Sequence, residues 1–379
     1  MAQLHWTDFR RTLHQYPELS NQEYRTAARV IEQFKCFAPD QVIAGLGGEG
    51  VVFVFNGSEP GPDTLIRCEL DALPIEECNH FSHRSVHQGV SHKCGHDGHM
   101  AIVTAVGEAL SKTKPLSGRV MLAFQPAEET GEGAVNMVND SAFASLKPDF
   151  AFALHNYPGL ELGHVAVKAG PFNCASRGMI IRLKGKTSHA AHPENGVSPA
   201  VAMCRIIEAL NELPQTLTQT CWVTIIHALL GEVAFGTSPG EAVVMATLRS
   251  ETNQAMEMLV QAATELAQQA AEPFGLQWSI EWQDVFQASV NSELGAELVT
   301  KACQATRTPC HWLDEPMRWS EDFGQFTAVA KEGAMFVLGA GRQSPQLHNP
   351  DYDFPDELIP VGKAIFENLI EQINGLNQS

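Results

Sequence analysis

Several things are scarce in this 379-residue sequence, and each scarcity closes off a class of function. No apolar run approaches the roughly 20 residues that a membrane-spanning helix requires, so no membrane partner is expected. The opening stretch MAQLHWTDFRR contains no apolar core of the kind a secretory signal carries. Basic residues are sparse: 25 Lys and Arg stand against 44 Asp and Glu, giving a formal net charge of -19. With no basic stretch to neutralise phosphates, no nucleic-acid partner is expected either. Cysteine is present, but its nine copies form an odd set without paired spacing. That pattern argues against a disulfide scaffold and for a reduced, cytoplasmic protein. Internal repeats and low-complexity tracts are also missing.

What remains is ordinary for a globular chain, 44% hydrophobic and 18% charged. The length exceeds what one simple core accommodates and suggests two domains, one inserted in the other. Residues 4–37 read as two helices, the second opened by a capping box of Ser20 and Glu23. Apolar strands follow at 51–55 and 64–70, the latter running into Glu69-Leu70-Asp71. A third strand at 119–124 leads to Gln125-Pro126-Ala127-Glu128-Glu129, and a fourth at 150–155 stops at His155. Strands that end in acidic or histidine residues bring those side chains to the crevice where open α/β sheets bind ligands. From about Gly178 the order strand 179–184, helix 199–213, strands 221–228 and 242–248, helix 253–271 and strand 276–284 matches a ferredoxin-like split arrangement. The expected domains are therefore residues 1–177 with 288–379, and an insertion over 178–287. Helices at 293–305 and 320–330, a strand at 334–338, the polar loop 339–353 containing His348, and a helix from about Pro355 complete the chain.

The densest chemistry lies in Cys94-Gly95-His96-Asp97-Gly98-His99, at the start of an apolar helix pattern. A thiolate and an imidazole two residues apart can share one metal ion, and Asp97 can orient an imidazole. Glu69, Asp71, Glu128, Glu129, His155 and His348 supply further donors. Together they suffice for two metal ions with one carboxylate left over as a base. Two ions about 3.5–4 Å apart are a recurrent hydrolytic device. The thiolate and imidazoles favour zinc, manganese or another transition ion over magnesium or calcium. Two motif matches fail on physical grounds. Gly45-Leu46-Gly47-Gly48-Glu49-Gly50 fits a dinucleotide fingerprint but precedes a β run, so no helix N-terminus waits for a phosphate. Gly236-Thr237-Ser238-Pro239-Gly240 fits a nucleophile elbow, yet Pro239 has no N–H for an oxyanion and Ser238 reads as a turn residue.

Five segments carry a resemblance: Leu70-Asp71-Ala72-Leu73-Pro74-Ile75, Cys94–His99, Gln125–Glu129, Leu154-His155 and Leu347-His348-Asn349-Pro350-Asp351-Tyr352-Asp353. In that order they resemble the aminoacylase/carboxypeptidase family of metallopeptidases (metallopeptidase family twenty). The nearest branch is its amidohydrolases, which include hippurate hydrolases, N-acetyl-diaminopimelate deacetylases and auxin-conjugate hydrolases. The resemblance implies an α/β, zinc-peptidase-like catalytic domain with a mixed central sheet flanked by helices, and an inserted ferredoxin-like α+β domain serving as lid and dimerisation surface. It implies Cys94, His96, Glu129, His155 and His348 as ligands of two divalent ions (zinc, manganese, cobalt or nickel), Glu128 as general base and Asp71 as the acid that orients the site. It also implies that His189, in Gly185-Lys186-Thr187-Ser188-His189, reaches the partner subunit's site and stabilises the developing oxyanion. A homodimer or higher homo-oligomer acting on a small N-acyl amino acid is the expected assembly.

Three departures stand out. Glu69 occupies a position where the branch usually has Asp, and Lys93 precedes Cys94 where Ala is typical, its ammonium favouring the thiolate. Gly236-Thr237-Ser238-Pro239 replaces an Asn-bearing segment that contacts substrate in relatives. The segment Ser320-Glu321-Asp322-Phe323 is typical of the branch and reads as a helix cap, and Arg318 reads as a partner for a substrate carboxylate. Two other readings stay open: a dipeptidase or carboxypeptidase, and a non-catalytic metal-dependent binding protein on the same scaffold.

Overall fold

The computed structural model describes residues 5–377. It divides into two compact units, a larger one through Phe172 and again over Ser289–Pro316 and from Glu321 onward, and a smaller one over Asn173–Ala288 with Met317–Ser320.

The larger unit is built on an eight-stranded mixed sheet. In spatial order its strands are Gln41–Leu46, Gly50–Asn56, Ser117–Gln125, Glu59–Glu69, Phe150–Pro158, Glu332–Gly341, Val165–Val167 and Cys310–Trp312. The four central strands, from Ser117–Gln125 to Glu332–Gly341, run parallel to one another. Such strands are covered on both faces, which is why they read as continuous apolar runs rather than alternating ones. Helices Trp6–Gln15, His96–Lys112, Glu293–Thr306 and Leu358–Asn374 pack against the sheet and share its core. Phe34, Phe53 and Phe124 form one dense knot of it, with Phe34 stacked on Phe53 at 3.8 Å between ring centroids.

The Gly-rich stretch from Gly45 to Gly50 is the turn between the first two, antiparallel strands, with Leu46 paired to Gly50. Gly47 takes φ +60°, and a side chain there would meet the Met137 backbone nitrogen at 2.5 Å, so the glycine serves close packing. A strand, Gly50–Asn56, follows it rather than a helix.

Several local expectations need correction. Ser20 and Glu23 do not form a capping box. The helix Tyr24–Phe34 is instead capped from a distance by the Glu18 carboxylate, which accepts from the Arg25 and Thr26 N–H groups. This frees Ser20 to donate to Asp71 and Glu23 to accept from the Ala127 N–H. His155 does not end its strand, which continues to Pro158 because its neighbour Glu332–Gly341 keeps pairing with it. The helix expected over 320–330 is only Gly324–Val329, and neither Glu321 nor Asp322 is its N-cap residue.

The smaller unit is a four-stranded antiparallel sheet in the order Cys221–Leu230, Glu241–Ser250, Ala175–Lys184, Gln277–Phe286, with helices Ala200–Thr216 and Asn253–Ala271 between strands in the chain. This is the split β-α-β-β-α-β order. Glu241–Ser250 alternates strictly between buried and less buried positions, the mark of a sheet with one covered face. Thr252 caps the long helix by accepting from the Ala255 N–H at 3.1 Å. Ser238 lies in a two-residue strand with Thr237, paired antiparallel to Ser188-His189, rather than in a turn.

Candidate metal centre

The site gathers toward the carboxyl ends of the parallel strands, with His155 still inside its own strand. Gly95, at φ +93°, turns the chain into helix His96–Lys112, and any side chain there would strike the Asn156 amide at 2.5 Å. Cys94 and His96, on either side of that turn, are both buried. Cys94 Sγ lies 3.5 Å from His155 Nε2. Glu129 Oε1 lies 3.8 Å from His96 Nε2 and 3.7 Å from His348 Nε2. All five residues expected to bind metal fall into two groups of three donors, Cys94/His96/His155 and Cys94/Glu129/His348, which share the thiol. Glu128 stands beside them, its Oε2 at 3.8 Å from His96 Nε2.

These donors fit a cation. His96 Nε2 and Glu129 Oε1 are buried and make no hydrogen bond, a costly arrangement for polar atoms unless something else meets them. Ligands held at about 2.0–2.3 Å from one tetrahedral ion lie about 3.3–3.8 Å from each other, which matches Cys94–His155 at 3.5 Å and Glu129–His348 at 3.7 Å. The tautomers agree as well. His96 Nδ1–H donates to the Asp71 carbonyl at 2.9 Å and His155 Nδ1–H to the Asn156 carbonyl at 2.8 Å, leaving each Nε2 lone pair for a metal.

Asp71 earns its place through the backbone as much as its charge. Its Oδ2 accepts from Ser20 Oγ at 2.8 Å and from the Glu129 N–H at 3.0 Å, while Oδ1 sits 3.4 Å from His96 Nδ1. Ala127, just before the glutamate pair, is held at φ +48°, and its N–H is fixed by Glu23. A non-glycine residue keeps such a conformation only where its surroundings over-determine it.

Burial dominates the electrostatics. It raises the Glu128 carboxyl well above the usual range, reinforced by Glu321 and Glu129. Burial likewise lifts Glu129, to about 7, although His96 opposes this. Burial and then Glu129 push the Cys94 thiol up. The expectation that Lys93 would favour the thiolate is thereby overturned. The Lys93 ammonium turns away to Glu77, Asn79 and the Tyr352 carbonyl, so Cys94 needs a cation to ionise.

Two buried charge clusters were not visible in the sequence. In the first, Arg67 binds Glu69, Glu321 and Asp322, with both of the latter 2.7 Å away, and its Nε–H donates to Gln125. The Glu321-Asp322 pair is thus the anchor of this cluster rather than a helix cap. Glu69 also accepts from His99 Nδ1–H at 2.7 Å. Glu128, Glu321 and Asp322 do come together, but the guanidinium already supplies their positive charge. In the second cluster, Asp97 accepts from His14 and Arg10 rather than orienting a ligand imidazole. His14 donates its other N–H to Glu77 at 3.0 Å. The adjacent carboxylates Glu321-Asp322 and the unusual lysine before Cys94 are the sequence signals these clusters leave.

In the smaller unit, His189 is exposed on its short strand. Arg318 stacks over Trp222, 4.9 Å from the ring centroid, so the side chain expected to meet a substrate carboxylate is engaged with an aromatic face.

The family model of peptidase family M20/M25/M40 matches residues 65–372. The chain belongs to this family. Within it, the chain is 30% identical over 323 residues to an N-acetyl-L-cysteine deacetylase of Bacillus subtilis, covering 84% of this chain and 76% of the relative. A hippurate hydrolase of Campylobacter jejuni is 27% identical, with 95% and 94% covered. An N-acetyldiaminopimelate deacetylase of Oceanobacillus iheyensis is 29% identical, with 93% and 95% covered. Among solved structures, a dinuclear metal-binding peptidase of the family from Bacillus subtilis has a TM-score of 0.82 at 24% identity over 96% of each chain, and so shares the fold. No helix among the described residues is long and apolar enough to cross a membrane.

Proposed function

We propose that the protein is a binuclear metal-dependent amidohydrolase that cleaves an N-acyl amino acid, acetylated or aroylated, into a carboxylic acid and a free amino acid. The observation that carries this reading is the convergence of two three-donor groups sharing Cys94, with a spare buried carboxylate, Glu128, beside them. The relatives' deacetylase and hippurate hydrolase activities support the substrate class.

Cys94, His96, Glu129, His155 and His348 would hold two divalent cations. Such ions, when bound, acidify water and polarise a carbonyl oxygen. Glu128 takes up the water's proton, since burial has raised its affinity for one, and delivers it to the leaving nitrogen. Asp71 fixes His96 through its carbonyl and Glu129 through the backbone N–H. His189 of a partner subunit would steady the oxyanion. Self-association is supported by the open edge of strand Cys221–Leu230, where Ile226 and Leu229 are exposed, and by fully exposed Val233 and Phe235 just beyond. Zinc and manganese suit the donor set best, and nine free cysteines suit the reducing cytoplasm.

The test is primary-amine release from N-acetyl, N-benzoyl and free dipeptide substrates by protein reloaded with zinc, manganese or cobalt. Turnover of the acylated amino acids above the dipeptides is the expected result. A preference for free dipeptides would make the protein a dipeptidase, and silence with every metal would leave a binding protein.

A further inference from the structure

We propose that Lys93 is a positioning residue for His348, and through it for one of the two cation sites. The proposal rests on the metal-binding reading given above. The Lys93 side chain is fully buried, and its three ammonium donors meet three acceptors: Glu77 Oε1 at 2.6 Å, Asn79 Oδ1 at 2.8 Å and the Tyr352 carbonyl at 2.8 Å. Its own carbonyl accepts from the His348 N–H at 2.8 Å. A single residue therefore grips both ends of the segment from His348 to Tyr352, one end by main chain and the other by side chain. Between those ends the Pro350 carbonyl accepts from the Cys78 N–H, and the Asp351 carbonyl from Asn79 Nδ2. Asn79 thus belongs to the same clasp.

His348 needs such a clasp. It adopts φ +66°, in the left-handed region that non-glycine residues avoid. Its side chain is 52% exposed, so packing of the imidazole does not hold it in place. Lys93 also precedes Cys94 directly, and Cys94, Glu129 and His348 form one donor group while Cys94, His96 and His155 form the other. Loosening the clasp frees His348, which belongs to the first group alone. The effect of losing the Lys93 ammonium therefore falls mainly on the site that contains His348.

The experiment is a calorimetric titration of the chelator-stripped full chain with zinc, comparing wild type, Lys93→Met and Asn79→Ala. In Lys93→Met one of the two zinc affinities is expected to fall at least about 10-fold, as on loss of a residue that orients a ligand, while the other stays within about threefold. Turnover by this variant should recover as free zinc is raised. Asn79→Ala, at a half-buried position, keeps the fold and should weaken the same site by a smaller factor. If Lys93→Met does not fold, Asn79→Ala decides alone. Both affinities unchanged, or both weakened alike, would overturn the positioning role while leaving the two-cation reading intact. A wild type that binds fewer than two zinc ions would overturn both.

Discussion

The two units handle charge in opposite ways. Every buried arginine, lysine, histidine, aspartate and glutamate among the described residues lies in the larger unit, while the buried polar side chains of the smaller one are Asn173, Ser176 and Ser250. Removing ions from water is expensive, and replacing buried ion pairs with apolar residues is often neutral or stabilising. The larger unit carries that expense around one place, the crevice that holds Cys94, His96 and Glu128. The smaller unit, with an apolar core under an alternating sheet, keeps its charged groups, and His189 with them, at the surface. The difference separates residues kept for chemistry from residues kept for packing.

The sharpest way to break this contrast is Arg67→Met. It leaves Glu69, Glu321 and Asp322 buried without their cation and should cost about 3–5 kcal/mol in urea unfolding. A cost below about 1 kcal/mol, the range of exposed pairs, would mean that the cluster is not structurally committed. Next in size is a pH effect on the second cluster. Burial opposes protonation of His14, but Asp97 and Glu77 outweigh it and raise the imidazole from 6.5 to about 9. Because the folded value is the higher one, the stabilisation is complete below pH 6.5 and is lost as pH rises through about 9. The loss should be on the order of 3 kcal/mol, and His14→Gln should flatten this part of the stability profile.

Smaller effects are expected in the smaller unit. Ile181→Val, at a fully buried position of its central sheet, should cost about 1 kcal/mol with no change in turnover per folded molecule. A change in turnover larger than the change in folded fraction would show that the core packing of this unit, beyond His189, shapes the chemistry. Phe235→Ser, at an exposed site, should shift stability by no more than about 0.5 kcal/mol. Sedimentation should nevertheless show weaker self-association, and an unaltered assembly would move the contact surface elsewhere.

The same contrast explains how much could be read from the sequence. The smaller unit was legible almost element by element, because period-2 and period-3.6 patterns report local burial. The helix expected at 253–271 is found at Asn253–Ala271. The candidate donors were legible as candidates because their residue types stand in short motifs, and the fold brings those motifs together. What stayed hidden was pairing over distance. Arg67 finds Glu321 across 254 positions, and Asp97 finds His14 across 83. Nothing in local periodicity marks which distant carboxylate a buried cation will meet. Asp97 therefore meets the imidazole of His14 rather than one of a metal ligand, and Glu321-Asp322 meet Arg67. Ser20 and Glu23 misled for a related reason. Their spacing matched a cap, but stronger partners, Asp71 and the Ala127 N–H, were available from elsewhere in the chain.

The central claim is that two adjacent glutamates divide the work, Glu129 as ligand and Glu128 as base. It is tested most directly by measuring bound cation and amine release together in wild type, Glu128→Gln and Glu129→Gln. Glu128→Gln should retain both ions through dialysis while turnover drops about 10²–10⁴-fold, and Glu129→Gln should lose cation along with activity. A Glu128→Gln protein that keeps its metal and turns over within a few-fold of wild type would contradict the account.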